Sequence, residues 1–204
     1  MSIFNTDGTE GYASEADALV RQYESFSFAD VHRRILHLIP QSPARILDIG
    51  AGTGRDAAGL AEMGHIVTAV EPTAAMRLHG IRLHPSPRIE WLDDSLPDLS
   101  VVSARGETFS VVLLTSVWMH LDEAQRSRAM SRIAALVQPG GVMSLTLRHG
   151  PVPAGRRMFD VTPAETVALA EAEGLLCVLK LEGGEGLLGK PGVTWDRLAF
   201  RRQN

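Results

Sequence analysis

The chain switches between two hydrophobic periods. From Ser14 to Ile39, apolar positions recur at helical spacing, and Ser25-Phe26-Ser27 breaks the stretch into two expected helices. Ser27 is the expected N-cap of the second, which carries Val31, Ile35, Leu36 and Ile39 before Pro40 and Pro43 end it. The residues before them, 1–11, are polar and glycine-containing and are expected to be mobile. The period then shortens. Arg45 to Ile49 is an apolar run ending in glycine, which predicts a buried strand. Further strands are predicted over 65–70, 88–92, 109–115, 142–147, 175–181 and 194–200.

Helices are predicted between them. Arg55 to Met63 is closed by Gly64, and a short helix spans 73–80. Asp122 and Gln125 form a capping box ahead of Ala129, Ile133, Ala134, Leu136 and Val137. Pro139-Gly140-Gly141 reads as a turn into the fifth strand. Thr162-Pro163-Ala164-Glu165 starts the last helix, which runs to about Gly174. Strands alternating with helices imply a parallel sheet with helices on both faces, an α/β three-layer sandwich. The last two strands are separated only by the glycine-rich stretch 182–193. That is too short for a parallel crossover, so an antiparallel return is expected.

Composition narrows the class. With 204 residues the chain suits one α/β domain, and a net charge of -4 argues against a nucleic-acid partner. Cys177 stands alone, which excludes an intrachain disulfide or cysteine metal site and fits a reducing cytoplasm. No basic-then-apolar leader opens the chain, and no run approaches the roughly 18 apolar residues of a membrane helix. His32, His37, His65, His79 and His84 lack metal-ligand spacing, so no metal is expected.

The chemistry concentrates in Leu47-Asp48-Ile49-Gly50-Ala51-Gly52-Thr53-Gly54, between a strand and a helix. Gly50, Gly52 and Gly54 let the backbone turn tightly and let a ligand approach it, with Ala51 between them. The helix N-terminus behind offers free N–H groups to a carboxylate or phosphate. Glu71, followed by Pro72, ends the second strand 19 residues after Gly52, where an acid typically takes ribose hydroxyls.

These residues resemble the class I S-adenosylmethionine-dependent methyltransferases, over about residues 45 to 200. The resemblance implies a seven-stranded sheet of order 3-2-1-4-5-7-6 with the last strand antiparallel, and S-adenosyl-L-methionine over the first two strands. It implies that Asp48 and the glycines hold the methionine part and Glu71 the ribose. It also implies an acid near the adenine amino group, Asp93 or, as its rival, Asp94. Residues 44–204 are then the methyltransferase domain. Residues 1–43 are a helical extension or lid, with Tyr12, Tyr23 and Phe26 covering the site. A nicotinamide-dependent Rossmann oxidoreductase is the alternative, because Gly52-Thr53-Gly54-Arg55-Asp56-Ala57 satisfies G-x-G-x-x-A. Asp48 at the strand end and the missing second domain weigh against it. A non-catalytic S-adenosylmethionine-binding module is a third reading.

The acceptor side carries weaker marks. Ser116-Val117-Trp118-Met119-His120 follows strand four and lacks the Asn/Asp-Pro-Pro-aromatic pattern of base amino-methylating enzymes. Ser116 is expected at the cofactor, and Trp118 is expected to stack on a flat acceptor or on the adenine. His120 and His149, which follow strands four and five, are the candidate general bases. Arg148, Arg156 and Arg157 are candidates for holding an anionic acceptor. The expectation is a small-molecule substrate, no membrane, and a monomer or homodimer.

Overall fold

The computed structural model describes residues 6–204, so the mobility expected of residues 1–5 lies outside it. Residues 6–11, also expected to be mobile, fold into turns. The Thr9 N–H and hydroxyl both donate to the Thr6 carbonyl, and Gln125 reaches Asp7.

Seven strands form one sheet: β1 (Arg45–Ile49), β2 (Ile66–Val70), β3 (Ile89–Leu92), β4 (Phe109–Leu114), β5 (Val137–His149), β6 (Leu175–Glu185) and β7 (Thr194–Arg202). Their order is β3-β2-β1-β4-β5-β7-β6. The pairs from β3 through β5 are parallel, and β7 runs antiparallel to both β5 and β6. Strand order and the reversed β7 both match the sequence expectation.

Side-chain alternation along the strands feeds two cores. On one face, Ile46, Val67, Val111 and Leu113 pack against Ala57, Leu60 and Ala61 of α3 (Arg55–Glu62) and Phe28 of α2 (Phe28–His32). On the other, Leu47, Ile49, Val112, Leu114 and Met143 meet Val102 of α5 (Ser100–Ser103) and Ala129, Met130 and Ile133 of α6 (Glu123–Leu136). Ala170 of α7 (Pro163–Ala172) joins that core. Helix α1 (Tyr12–Tyr23) lies on α4 (Ala74–Leu83), where Ala16 and Leu19 meet Met76.

The structure departs from the expected elements in three places. The helix capped by Ser27 ends at His32, whose imidazole turns inward to Asp56, and a 3-10 turn over Leu36–Leu38 follows. Ile35 and Ile39 still reach the core from it. The Pro139-Gly140-Gly141 turn is instead a bulged part of β5, and the register against β4 slips between Phe109 and Val111. That slip lets Phe109 face the same core as Val112 and Leu114. Helix α5 was not expected; the Asp94 carboxylate starts it by accepting from the Val101 and Val102 amides.

Candidate active site

The C-terminal ends of β1, β2, β4 and β5 open into one cavity of about 860 Å³. Because β7 is reversed, its first residues, Trp195 and Arg197, reach the same edge. Tyr12, Leu19 and Tyr23 of α1 and Phe26 beyond it roof the cavity.

The glycine loop forms one wall. The N–H groups of Gly50 and Ala51 both donate to the Val70 carbonyl, tying the loop to the end of β2. Gly50, Gly52 and Gly54 all have positive φ. Their reasons differ. A Cβ on Gly50 would strike Val117 and one on Gly54 the Trp91 ring, whereas a Cβ on Gly52 would meet only loose neighbours. Gly52 is thus a cradle position, where a side chain would occupy ligand space.

Two buried acids stand beside this loop. Glu71 accepts from the Gly52 amide at 2.9 Å and the Thr73 amide at 2.8 Å, one on each oxygen. It joins the two loops that frame the cavity and lines it. Burial raises its pKa against the pull of those amides. Asp48 is 1% exposed, and its Oδ2 has no hydrogen-bond partner. Burial, then the neighbouring Asp56, pushes its carboxyl well above the usual range. A buried carboxylate oxygen left without a partner is costly unless a ligand completes it. A cationic ammonium meets that requirement, so Asp48 and the Gly52 cradle fit the methionine portion of S-adenosylmethionine.

Other expected residues separate. Asp94 lines the cavity, but Asp93 is turned outward and paired with Arg77 at 2.9 Å. Of the two, Asp94 borders the cavity, with its carboxylate accepting from the Ser95, Val101 and Val102 amides. Ser116 (φ 63) and Pro72 line the cavity, and the Ser116 amide donates to Thr146 Oγ1 at 2.8 Å. Trp118, expected at the acceptor, is fully buried in the core on α6 and does not border the cavity.

The two candidate bases also part. His120 borders the main cavity and is 7% exposed. Its Nδ1 lies 2.8 Å from the Arg157 carbonyl and its Nε2 3.0 Å from the Tyr12 hydroxyl. Burial lowers its pKa, which favours the neutral imidazole a base requires. His149 instead borders a separate cavity of about 370 Å³. It is held between Asp160 at 3.2 Å and Asp196 at 2.6 Å. Burial lowers its pKa, but the bonds to Asp160 and Asp196 outweigh that and raise it. The structure thus holds His149 at both ring nitrogens, away from the main cavity that His120 borders.

The arginines do not converge as a free anion site. Arg156 forms a bidentate pair with Glu15 and stacks over Tyr12 at 4.3 Å. Arg157 is spent on Asp122, Gln125 and the His120 carbonyl. Only Arg148 of the three lines the cavity without a carboxylate partner among the described residues. Tyr12 and Tyr23 both line the cavity.

Several residues in or beside the cavity wall escaped the sequence reading. Arg55 donates to Asp56 and to the Tyr23 carbonyl, and Glu24 accepts from Thr53 and pairs with His84 at 3.1 Å. These bonds fasten the C-terminal end of α1 over the glycine loop. Thr146 was visible as a polar position in an otherwise apolar strand. Trp195 and Arg197 followed from the reversal of β7, which starts where its neighbours end.

Comparison with known proteins agrees with this geometry. The family description "Methyltransferase domain" matches residues 46–141. Human glycine N-methyltransferase is 26% identical over 190 residues, covering 76% of this chain and 63% of that protein. The chain thus spans less than two thirds of the length of that relative. A ubiquinone biosynthesis O-methyltransferase of Methylocella silvestris is 36% identical over 105 residues, covering 51% of this chain and 40% of the relative. Among solved structures, a Burkholderia thailandensis 1,6-didemethyltoxoflavin-N1-methyltransferase superposes with a TM-score of 0.74 at 22% identity, over 95% of this chain and 86% of that one. The relatives and the structure named here are methyltransferases by their names, which weighs against the nicotinamide reading. In its matched segment, sheet order and glycine loop, this chain is similar to S-adenosylmethionine-dependent methyltransferases.

Proposed function

We propose that this chain transfers a methyl group from S-adenosylmethionine to a small-molecule acceptor bound beside His120. The observation that carries the reading is the continuity of one cavity from the glycine loop to His120 beneath α1. When bound, the cofactor supplies a methyl group on a positively charged sulfur, already a strong electrophile. The protein's part is to hold, orient and enclose, and to take up a proton.

Asp48 Oδ2 receives the ammonium of the methionine portion, and Glu71 the ribose hydroxyls. Asp94 stands at the adenine. Residues 1–43 act as a lid, with Tyr12, Tyr23 and Phe26 limiting the acceptor to a compact molecule. Arg148 meets any negative charge on it. His120 is the final proton acceptor. The relatives named above act, by their names, on glycine, on a ubiquinone precursor and on 1,6-didemethyltoxoflavin, which supports the small-molecule class.

The test is transfer of label from methyl-labelled cofactor to a panel of glycine, catechol and 1,6-didemethyltoxoflavin, and to the separated small-molecule and macromolecular fractions of a cell extract. Label is expected in a panel compound or the small-molecule fraction. Label only in protein or RNA contradicts the acceptor class. Tight S-adenosylhomocysteine binding with no transfer anywhere makes the chain a non-catalytic binding module.

A further inference from the structure

The base is not bare. A carbonyl oxygen only accepts, so the 2.8 Å contact with the Arg157 carbonyl requires the hydrogen of neutral His120 on Nδ1. Nε2 is then the acceptor, and the hydroxyl 3.0 Å away must donate to it. That hydroxyl belongs to Tyr12, the first residue of α1. The phenol meets the imidazole edge-on, with ring centres 5.6 Å apart. Both groups line the cavity.

Neighbours fix each half. Arg157 donates to the His120 carbonyl at 3.2 Å, to Gln125 at 3.0 Å and to Asp122 at 2.9 Å, so the segment carrying the tautomer-setting carbonyl is itself anchored. Arg156 covers the Tyr12 ring and grips Glu15 on the same helix. The sole lone pair of His120 is therefore committed to the roof helix, and an acceptor reaches it only through the Tyr12 hydroxyl or by displacing it.

We infer that Tyr12 is the catalytic group that touches the acceptor, and that His120 acts through it as the end of a two-member proton relay. This rests on the methyl-transfer reading above. The acceptor's N–H or O–H atom forms its bond to the methyl carbon as the carbon–sulfur bond breaks and leaves its electron pair on sulfur. The acceptor's proton then goes to the Tyr12 oxygen, while the Tyr12 proton goes to His120 Nε2. The acceptor leaves methylated and neutral, Tyr12 is restored, and the single positive charge has moved to the imidazolium. Burial raises the Tyr12 pKa, so the phenol is a conduit rather than a standing phenolate. Glu10 faces His120 and favours its cation, whereas Arg156 and Arg157 oppose it. Because Tyr12 sits on α1, the base is complete only with that helix in place.

The first measurement is two-bond proton–nitrogen NMR of histidine-labelled protein saturated with S-adenosylhomocysteine, followed across pH. His120 is expected with hydrogen on Nδ1 and a bare Nε2. Tyr12→Phe keeps the ring and is expected to move the His120 titration, since the lost hydroxyl is the partner of Nε2. Hydrogen on Nε2, or an unmoved titration in Tyr12→Phe, overturns the relay.

The second measurement is turnover of whichever panel compound accepts label. Tyr12→Phe and His120→Gln are each expected to lower kcat about 100-fold or more with KM nearly unchanged, and the double variant to be no slower than either. A parental kcat in Tyr12→Phe also overturns it. If neither a panel compound nor the small-molecule fraction is methylated by the parent, the acceptor reading fails, and the NMR result still decides the dyad.

Discussion

Asp48 shows how one residue divides stability from binding. Its carboxyl is buried and one oxygen has no partner, while the nearby Asp56 is itself an anion. The folded pKa lies above the ordinary 3.8, so the folded state holds a proton that the unfolded state has released. Stability from this group is therefore lost as pH rises from about 3.8 through the folded value. Asp48→Asn keeps the shape and removes the ionisation. The variant is expected to melt higher than the parent near neutral pH, with the difference narrowing in acid, while S-adenosylhomocysteine binding weakens about 10- to 100-fold. Melting curves across pH with paired titrations check both halves; a variant less stable yet equally tight contradicts the assignment.

The glycine loop and Glu71 were legible in the sequence because strand, turn and acid are set by local spacing. The positions of His149 and Trp118 were not legible, because their surroundings are set at long range. Asp196 lies 47 residues from His149, and only the reversal of β7 brings it to the ring. Trp118 faces the α6 core because Ser116, at φ 63, turns the chain at the strand end.

At the level of elements, the His149 clasp joins three pieces: the end of β5, the loop at Asp160 and the start of β7. Its folded pKa lies above the ordinary 6.5. Its contribution to stability is thus fully present below about 6.5 and lost as pH climbs through the folded value. His149→Gln is expected to melt below the parent at pH 6, and the gap to shrink as pH rises toward 9. A pH-independent gap shows that the ring acts by packing and not by charge. Since His149 lies outside the main cavity, S-adenosylhomocysteine affinity is expected to stay close to parental.

Helix existence and strand order were readable because each run has a clear period and caps such as Asp122 with Gln125 and Thr162 with Glu165 are local. The early end of α2 was not. It depends on His32 reaching Asp56, an interaction invisible until α3 is placed. The bulge at Phe109 was hidden for a related reason: the side-chain period alone does not reveal a slipped register.

At the scale of the molecule, the parallel strands end together, the reversed β7 begins at that same edge, and α1 spans the gap from the glycine loop to His120. Tyr23 at its end reaches the loop near Gly52, and Tyr12 at its start reaches His120. Among the described residues, no helix is long and apolar enough to cross a membrane. The topology was foreseeable from strand alternation and the short final connection. The way α1 closes the cavity was not, because its fastenings, Arg55, Glu24 and Arg156, are exposed-looking charges in the sequence.

The central claim is that this cavity is built for S-adenosylmethionine, and calorimetric titration with S-adenosylhomocysteine, with NAD as the control, tests it most directly. The parent is expected to bind S-adenosylhomocysteine and not NAD. Glu71→Ala is expected to weaken binding by about 1–3 kcal/mol, because it removes ribose partners and releases the Gly52 and Thr73 amides. Binding of NAD alone, or an affinity for S-adenosylhomocysteine unchanged by Glu71→Ala, would contradict the assignment of this site.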